Sequence, residues 1–215
     1  MTSSARASRP LVLAGGALLL LALALVALMP ARPSASAPAS TVAASAPAEA
    51  SADVGFARDM AVHHQQAVEM SFIVRDRTTD AAVRRLAFDI INTQANQRGM
   101  MLGWLEMWGR AKSSPGPPME WMGHTVTPRG DGALMPGMAT DAELDALRAA
   151  KGRDAEVLFL RLMTAHHRAG ADMAQAAAAA AGTDEIRNLA SGMVLGQRSE
   201  IALMADMLKE RGAQA

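Results

Sequence analysis

The residues of this sequence best equipped for chemistry are two pairs of adjacent histidines. His63 and His64 follow Phe56 and Met60 in the pattern Phe-x-x-x-Met-x-x-His-His, and the pattern returns 103 positions later as Phe159, Met163, His166 and His167. The same offset carries Met70 to Met173, Leu86 to Leu189, Gln94 to Gln197, Met101 to Met204 and Leu105 to Leu208. One constant offset over so long a stretch marks an internal duplication, with no insertion inside either copy. Imidazole suits copper and zinc alike, whereas thioether selects Cu(I), so a mixture of His and Met points to copper, as Cu(I) or Cu(II), ahead of zinc. A di-iron centre would need Glu-x-x-His on two helices, and a zinc protease His-Glu-x-x-His; the sequence has neither.

Methionine at helical spacing ordinarily fills core, and a single buried histidine is ordinarily a hydrogen-bonded core residue. Four histidines in two repeated pairs are a different matter. An unsatisfied buried polar group costs about 1 to 3 kcal/mol, and Ala or Leu would pack there at lower cost. On a helix, Met60, His63, His64, Ala67 and Met70 share one face through spacings of three and four, and the two adjacent rings diverge by about 100° around the axis. Met163, His166, His167, Gly170 and Met173 repeat that face. Gln94, Gln97 and Met101, with their counterparts Gln197, Glu200 and Met204, follow the same spacing farther on. Both copies therefore direct imidazole, thioether and amide or carboxylate groups toward a common interior. Between the copies lie Met119, Trp121, Met122, His124, Met135 and Met138. Methionine exposed in a Pro- and Gly-rich loop has no core to fill, so the four methionines and His124 are read as further metal ligands. Trp121 beside Met122 marks the alternative, a flap packed on the bundle.

The elements that must position these groups are amphipathic helices. The apolar periodicity predicts helices over Asp53 to Arg77, Asp80 to Gly109, Arg153 to Ala181 and Asp184 to Arg211, with Thr79 and Thr183 as start signals. Thr140-Asp-Ala-Glu143 reads as a capping box opening a short extra helix. Two short-looped hairpins joined by one long connection make an all-α, ferritin-like four-helix bundle. Its repeats span residues 56–108 and 159–211, within a domain over 53–212, and the Met-, Pro- and Gly-rich crossover spans 111–152.

Composition agrees with that architecture and narrows the function. The chain has 215 residues, of which 50% are hydrophobic but only 3% aromatic, so Ala, Leu and sixteen Met must fill the core. A formal net charge of zero argues against a nucleic-acid partner. Cysteine is absent, which removes disulfides, thiolate metal sites and cysteine nucleophiles together. Arg6 and Arg9 precede an apolar run from Leu11 to Met29 that Pro30 ends, so residues 1–30 read as a signal peptide or an N-terminal transmembrane anchor. The positive flank places the chain beyond that run outside the cytoplasm. Residues 31–52, almost entirely Ala, Ser and Pro, read as a disordered tether. Membrane contact is expected only through the N-terminal segment.

The doubled Phe-x-x-x-Met-x-x-His-His-x-x-Ala/Gly-x-x-Met helix, followed by a Gln-x-x-(Glu/Gln)-x-x-x-Met helix, resembles the domain of unknown function family numbered 305 over about Phe56 to Leu208. The resemblance implies a ferritin-like bundle, export to the periplasm or cell surface, and copper binding and tolerance, with no established enzymatic activity. The sequence departs from the family at Gln97, where the Glu retained here as Glu200 is usual, which implies a weaker or merely supporting first hairpin. The leading expectation is an exported, non-catalytic copper-binding protein that buffers, sequesters or delivers the ion. Its partners would be the metal and other exported copper-handling proteins. The alternatives are a metal-dependent oxidoreductase such as a cuprous oxidase, and a metal-free helical module that docks at the membrane.

Overall fold

The computed structural model describes residues 45–214 apart from 115, 125 and 129. The apolar run and most of the Ala/Ser/Pro stretch lie outside the described residues. Among the described residues five α-helices follow one another: α1 (Ala52–Arg75), α2 (Ala81–Met107), a short α3 (Asp141–Ala149), α4 (Gly152–Ala180) and α5 (Asp184–Glu210), with a 3-10 turn, Glu120–Met122, in the crossover. Among the described residues no helix is long and apolar enough to cross a membrane.

Helix ends follow local chemistry. Ser51 caps α1 through Val54 N–H, and Thr183 caps α5 through Ile186 N–H, as its position suggests. The capping box of Thr140 and Glu143 opens α3. The start of α2 is a correction: Asp80, not Thr79, is the cap, its carboxylate accepting from Val83 N–H at 2.9 Å. The preceding residues are drawn into a turn in which Thr78 Oγ1 accepts from Asp80 N–H. The two second helices end alike. Gly109 (φ 64°) and Gly212 (φ 62°) adopt the left-handed conformation that only glycine takes without penalty. Behind them Arg110 N–H donates to the Leu105 carbonyl and Ala213 N–H to the Leu208 carbonyl, the same C-terminal motif once per repeat.

Each hairpin is closely packed, α1 on α2 and α4 on α5, and the hairpins meet chiefly along α1 and α4. The hydrophobic interior divides into two clusters that the duplication exchanges. One holds Phe56, Met60, Met101 and Leu105 of the first repeat with Met173, Ala177 and Ile186 of the second. The other holds Phe159, Met163, Met204 and Leu208 with Met70, Val74 and Val83. Each cluster thus combines the first half of one hairpin's leading helix with the second half of the other's, which requires α1 and α4 to run antiparallel. Fully burying side chains of this size stabilises by about 1.5 to 3 kcal/mol each, and both phenylalanines are completely buried.

Polar clasps close the two poles, again by exchange. Asp53, at the start of α1, accepts from Gly182 N–H, Thr183 N–H and Thr183 Oγ1 in the turn of the opposite hairpin. Its equivalent Glu156, at the start of α4, accepts from Thr78 Oγ1 at 2.5 Å and from Arg211 Nε at 2.7 Å. Residues 45–51, within the stretch read as a tether, contact the bundle: Glu49 pairs with Arg58 at 2.6 Å and the Pro47 carbonyl accepts from Arg110. Because the clasps use charged acceptors, Asp53→Asn and Glu156→Gln are each expected to lower folding stability by about 1 to 3 kcal/mol. The sites lie at opposite poles, so the losses should add in the double variant. Urea denaturation of the three variants measures this, and strong non-additivity would show that the poles are coupled.

Candidate metal centre

Between the two apolar clusters lies a layer of polar groups. His63, His64 and His167 are 0% exposed and His166 is 1% exposed, so the four rings are out of reach of bulk solvent. His63 and His166 meet across the α1–α4 seam with ring centroids 3.7 Å apart and planes inclined by 31°. His64 turns instead toward α2, where its Nε2 lies 2.8 Å from Gln97 Oε1, and His167 toward α5, where its Nε2 lies 2.6 Å from Glu200 Oε2. The 100° between neighbours on a helix is what divides each pair into one ring at the seam and one beneath it. Gly170 makes room for this layer. A Cβ there would stand 2.5 Å from Gln197 Oε1 and 3.1 Å from His63 Cε1, whereas Ala67 occupies the equivalent position in the first repeat.

The hydrogen bonds assign the tautomers. Carbonyl and carboxylate oxygens only accept, so His64 donates from Nε2 to Gln97, His166 from Nε2 to the His63 carbonyl at 3.0 Å, and His167 from Nε2 to Glu200. The Nδ1 atoms of all four rings are buried without a hydrogen-bond partner, as are His63 Nε2, Gln94 Oε1 and Gln197 Oε1. Buried polar atoms are nearly always paired, so such a concentration of unpaired ones needs a ligand or water to account for it. Fixing the far nitrogen against an oxygen while leaving the near lone pair bare is how proteins orient histidines toward a metal. The donor set therefore fits a soft ion. Among the described residues no three His, Asp or Glu side chains are placed to hold one ion together. Met60, Met101 and Met173 lie in one apolar cluster and Met70, Met163 and Met204 in the other.

The crossover residues behave differently from the sequence expectation. Met119 and Met135 are not exposed: they are 8% and 4% exposed and belong to the first apolar cluster, while Met122 and Met138 pack against it. The alternative of a packed flap matches the structure. Asp59 accepts from Met119 N–H and Trp121 Nε1, both at 2.8 Å, and the indole lies directly against Gly55, where a Cβ would collide with it. His124 is exposed on the crossover, outside the buried layer. Sequence reasoning passes over Gln66, Gly137 and Pro136, which bring the crossover onto the histidine seam. The only available signal is their place in or opposite a loop otherwise read through its methionines.

Duplicated hairpins packed around an interior that holds buried polar side chains define this protein as a ferritin-like four-helix bundle. The chain belongs to the family Domain of unknown function (DUF305), which matches residues 53–208. It is similar to a DUF305 protein from Streptomyces coelicolor, with 58% identity, a TM-score of 0.73, and coverage of 78% of this chain and 98% of that one. A DUF305 fragment from Deinococcus radiodurans is 32% identical, with a TM-score of 0.63 and coverage of 74% and 96%. CopM in its Cu(II)-bound form is 26% identical, with a TM-score of 0.58 and coverage of 74% and 96%. None of the curated proteins matches this chain in sequence.

Burial, reinforced by His64 and His167 nearby, lowers the His63 ring to about 3. Burial also lowers His64 to about 4, against the opposing hydrogen bond to Gln97. His166 lies well below the ordinary 6.5, from burial and the three neighbouring imidazoles. These rings are neutral at pH 7, as ligands must be. In the unfolded chain they take up protons near 6.5 while the folded protein does not, so the unfolded state binds more protons and stability falls as pH drops. Without metal, stability is expected to decline from about pH 6.5 toward pH 4, by up to about 1.4 kcal/mol per unit for each such ring. Denaturation midpoints at pH 7, 6 and 5 measure it, and a flat profile over that range would contradict neutral, buried rings.

Proposed function

We propose that this chain is an extracytoplasmic copper-binding protein that holds the ion at the buried histidine layer and passes it on, without catalysis. The observation that carries the reading is the set of four buried imidazoles whose Nδ1 atoms have no partner. The bound-copper form of CopM, a structural relative at 26% identity, supports copper as the ion. Thioethers from both apolar clusters favour Cu(I), while His167, backed by the Glu200 carboxylate, favours Cu(II). Zinc draws no advantage from the thioethers. Burial of the rings supports storage and transfer, since oxidant and substrate have no open position at the layer. Export is supported by the N-terminal run after Arg6 and Arg9 and by the Streptomyces coelicolor relative, which is described as secreted. Other exported copper-handling proteins would then donate or accept the ion, and the N-terminal segment would be either removed or kept as an anchor.

Replacing His63 and His64 together by Ala, or His166 and His167 together, should weaken copper binding by about tenfold or more, because imidazole is the strongest ligand on offer. Glu200→Gln should weaken Cu(II) more than Cu(I), as it withdraws a charged oxygen but no thioether. Competition titrations against chelators specific for each oxidation state, with circular dichroism to confirm folding, decide the matter. Unchanged isotherms in folded variants would reject the histidine layer as the site.

A further inference from the structure

The crossover docks on the bundle beside the paired rings, on residues that flank them in α1 and α4. On α1, Val62 and Gln66 flank His63 in sequence, and on α4 their equivalents Ala165 and Ala169 flank His166. Gln66 grips the crossover with two reciprocal hydrogen bonds: its Nε2 donates to the Ala139 carbonyl at 2.8 Å and its Oε1 accepts from Ala139 N–H at 2.7 Å. On the other side Gly137 (φ 77°) is seated so closely that a Cβ would stand 2.5 Å from Ala169 Cβ and 2.7 Å from the Ala165 carbonyl. Small residues on α4 and an amide on α1 thus dock one short turn on equivalent faces of the two repeats.

That turn borders open space on the crossover side. The Pro136 carbonyl partly opposes the effect of burial on the His63 ring, although neither ring nitrogen gains a well-aligned hydrogen bond. Pro136 also lines a cavity of about 320 Å³ with Val126, Ala133, Met135 and Met138. Met135 lines a second cavity, of about 200 Å³, and Met138 a third, of about 450 Å³. The side of the layer facing α2 and α5 presents the oxygens of Gln97 and Glu200 instead. The two approaches therefore differ in kind, thioether on one and oxygen on the other.

Building on the copper reading, we propose that the Met135–Met138 turn is the entry gate for Cu(I): the two thioethers take the ion from the cavity and hand it to His63, and the Gln66–Ala139 pair sets how often the turn opens. The transfer is ligand exchange alone. The ion remains Cu(I), one sulfur–copper contact gives way to a nitrogen–copper contact at a neutral ring, and no electron or proton changes hands. Thioethers suit a transit role because they bind Cu(I) selectively and carry no proton to release.

The test monitors uptake of Cu(I), and of Ag(I) as an air-stable probe, by stopped-flow tryptophan fluorescence of the full chain. Met135→Leu with Met138→Leu conserves apolar volume and removes both thioethers, so uptake should slow by about tenfold while equilibrium affinity stays within about twofold. Gln66→Leu removes the latch, so uptake and release should both quicken by about tenfold at unchanged affinity, and hydrogen exchange of the Ala139 amide should rise with them even without metal. If Gln66→Leu fails to fold, Gln66→Glu keeps the acceptor for Ala139 N–H, gives up the donor, and serves the same comparison. Unchanged rates with intact binding would place the entrance elsewhere and overturn the gate alone. A loss of affinity matching the loss of rate in the methionine variant would make those residues part of the final site and also overturn the gate. A parent chain that takes up neither ion would overturn both the gate and the copper reading.

Discussion

The contact between His63 and His166, two imidazoles 3.7 Å apart at the middle of an otherwise apolar seam, constrains everything around it. Rings so deeply buried must be neutral and must find acceptors for whatever protons they carry. One is satisfied by the backbone of its opposite number, since His166 donates to the His63 carbonyl. Their neighbours turn away toward Gln97 and Glu200, and the second helix of each hairpin is thereby held in register with the first. The apolar clusters shield the layer from bulk solvent, and that burial depresses the basicity of the rings.

The duplication is repeated in the apolar clusters and in the C-terminal glycine motifs, each pole is closed by an acid at the start of a leading helix, and the two copies differ at several positions around the histidines. Gln97 stands opposite Glu200, Ala67 opposite Gly170, and Ala61 opposite Thr164, whose hydroxyl approaches the Met204 sulfur at 3.8 Å. The crossover covers one face of the seam and nothing in the repeat requires its symmetry mate. The layer is accordingly lopsided, with a carboxylate behind one outer histidine and an amide behind the other.

Much of this is legible in the sequence because the repeat is long and the helices are local. The constant offset from His63 to His166 establishes paired hairpins, and spacings of three and four place Met60, His64, Met70 and their counterparts inward. Thr140 and Thr183 are caps that a short window reveals. The clasps are hidden from such a reading, although Asp53 and Glu156 obey the same offset, because a carboxylate at a helix start has an ordinary explanation in its own helix. The crossover misleads for a deeper reason. Met119 and Met135 look exposed in a Pro/Gly loop, and only contacts such as Asp59 to Trp121 or Gln66 to Ala139, each more than sixty residues apart in the chain, show that the loop is folded down.

The exchanged clasps at the two poles have a further meaning. In each, one hairpin supplies the acid and the other the turn that it caps, so the α1–α4 seam has the form of an isologous interface of the kind found between identical protomers. Here both halves are carried on one chain. In a homodimer every change is made twice, and a residue that suits one half-site is imposed on the other. Joined covalently, the halves are released from that rule. One can hold a carboxylate where its twin holds an amide, and one face can bear a strap that the opposite face lacks, without any loss of the self-complementary packing that holds the pair together.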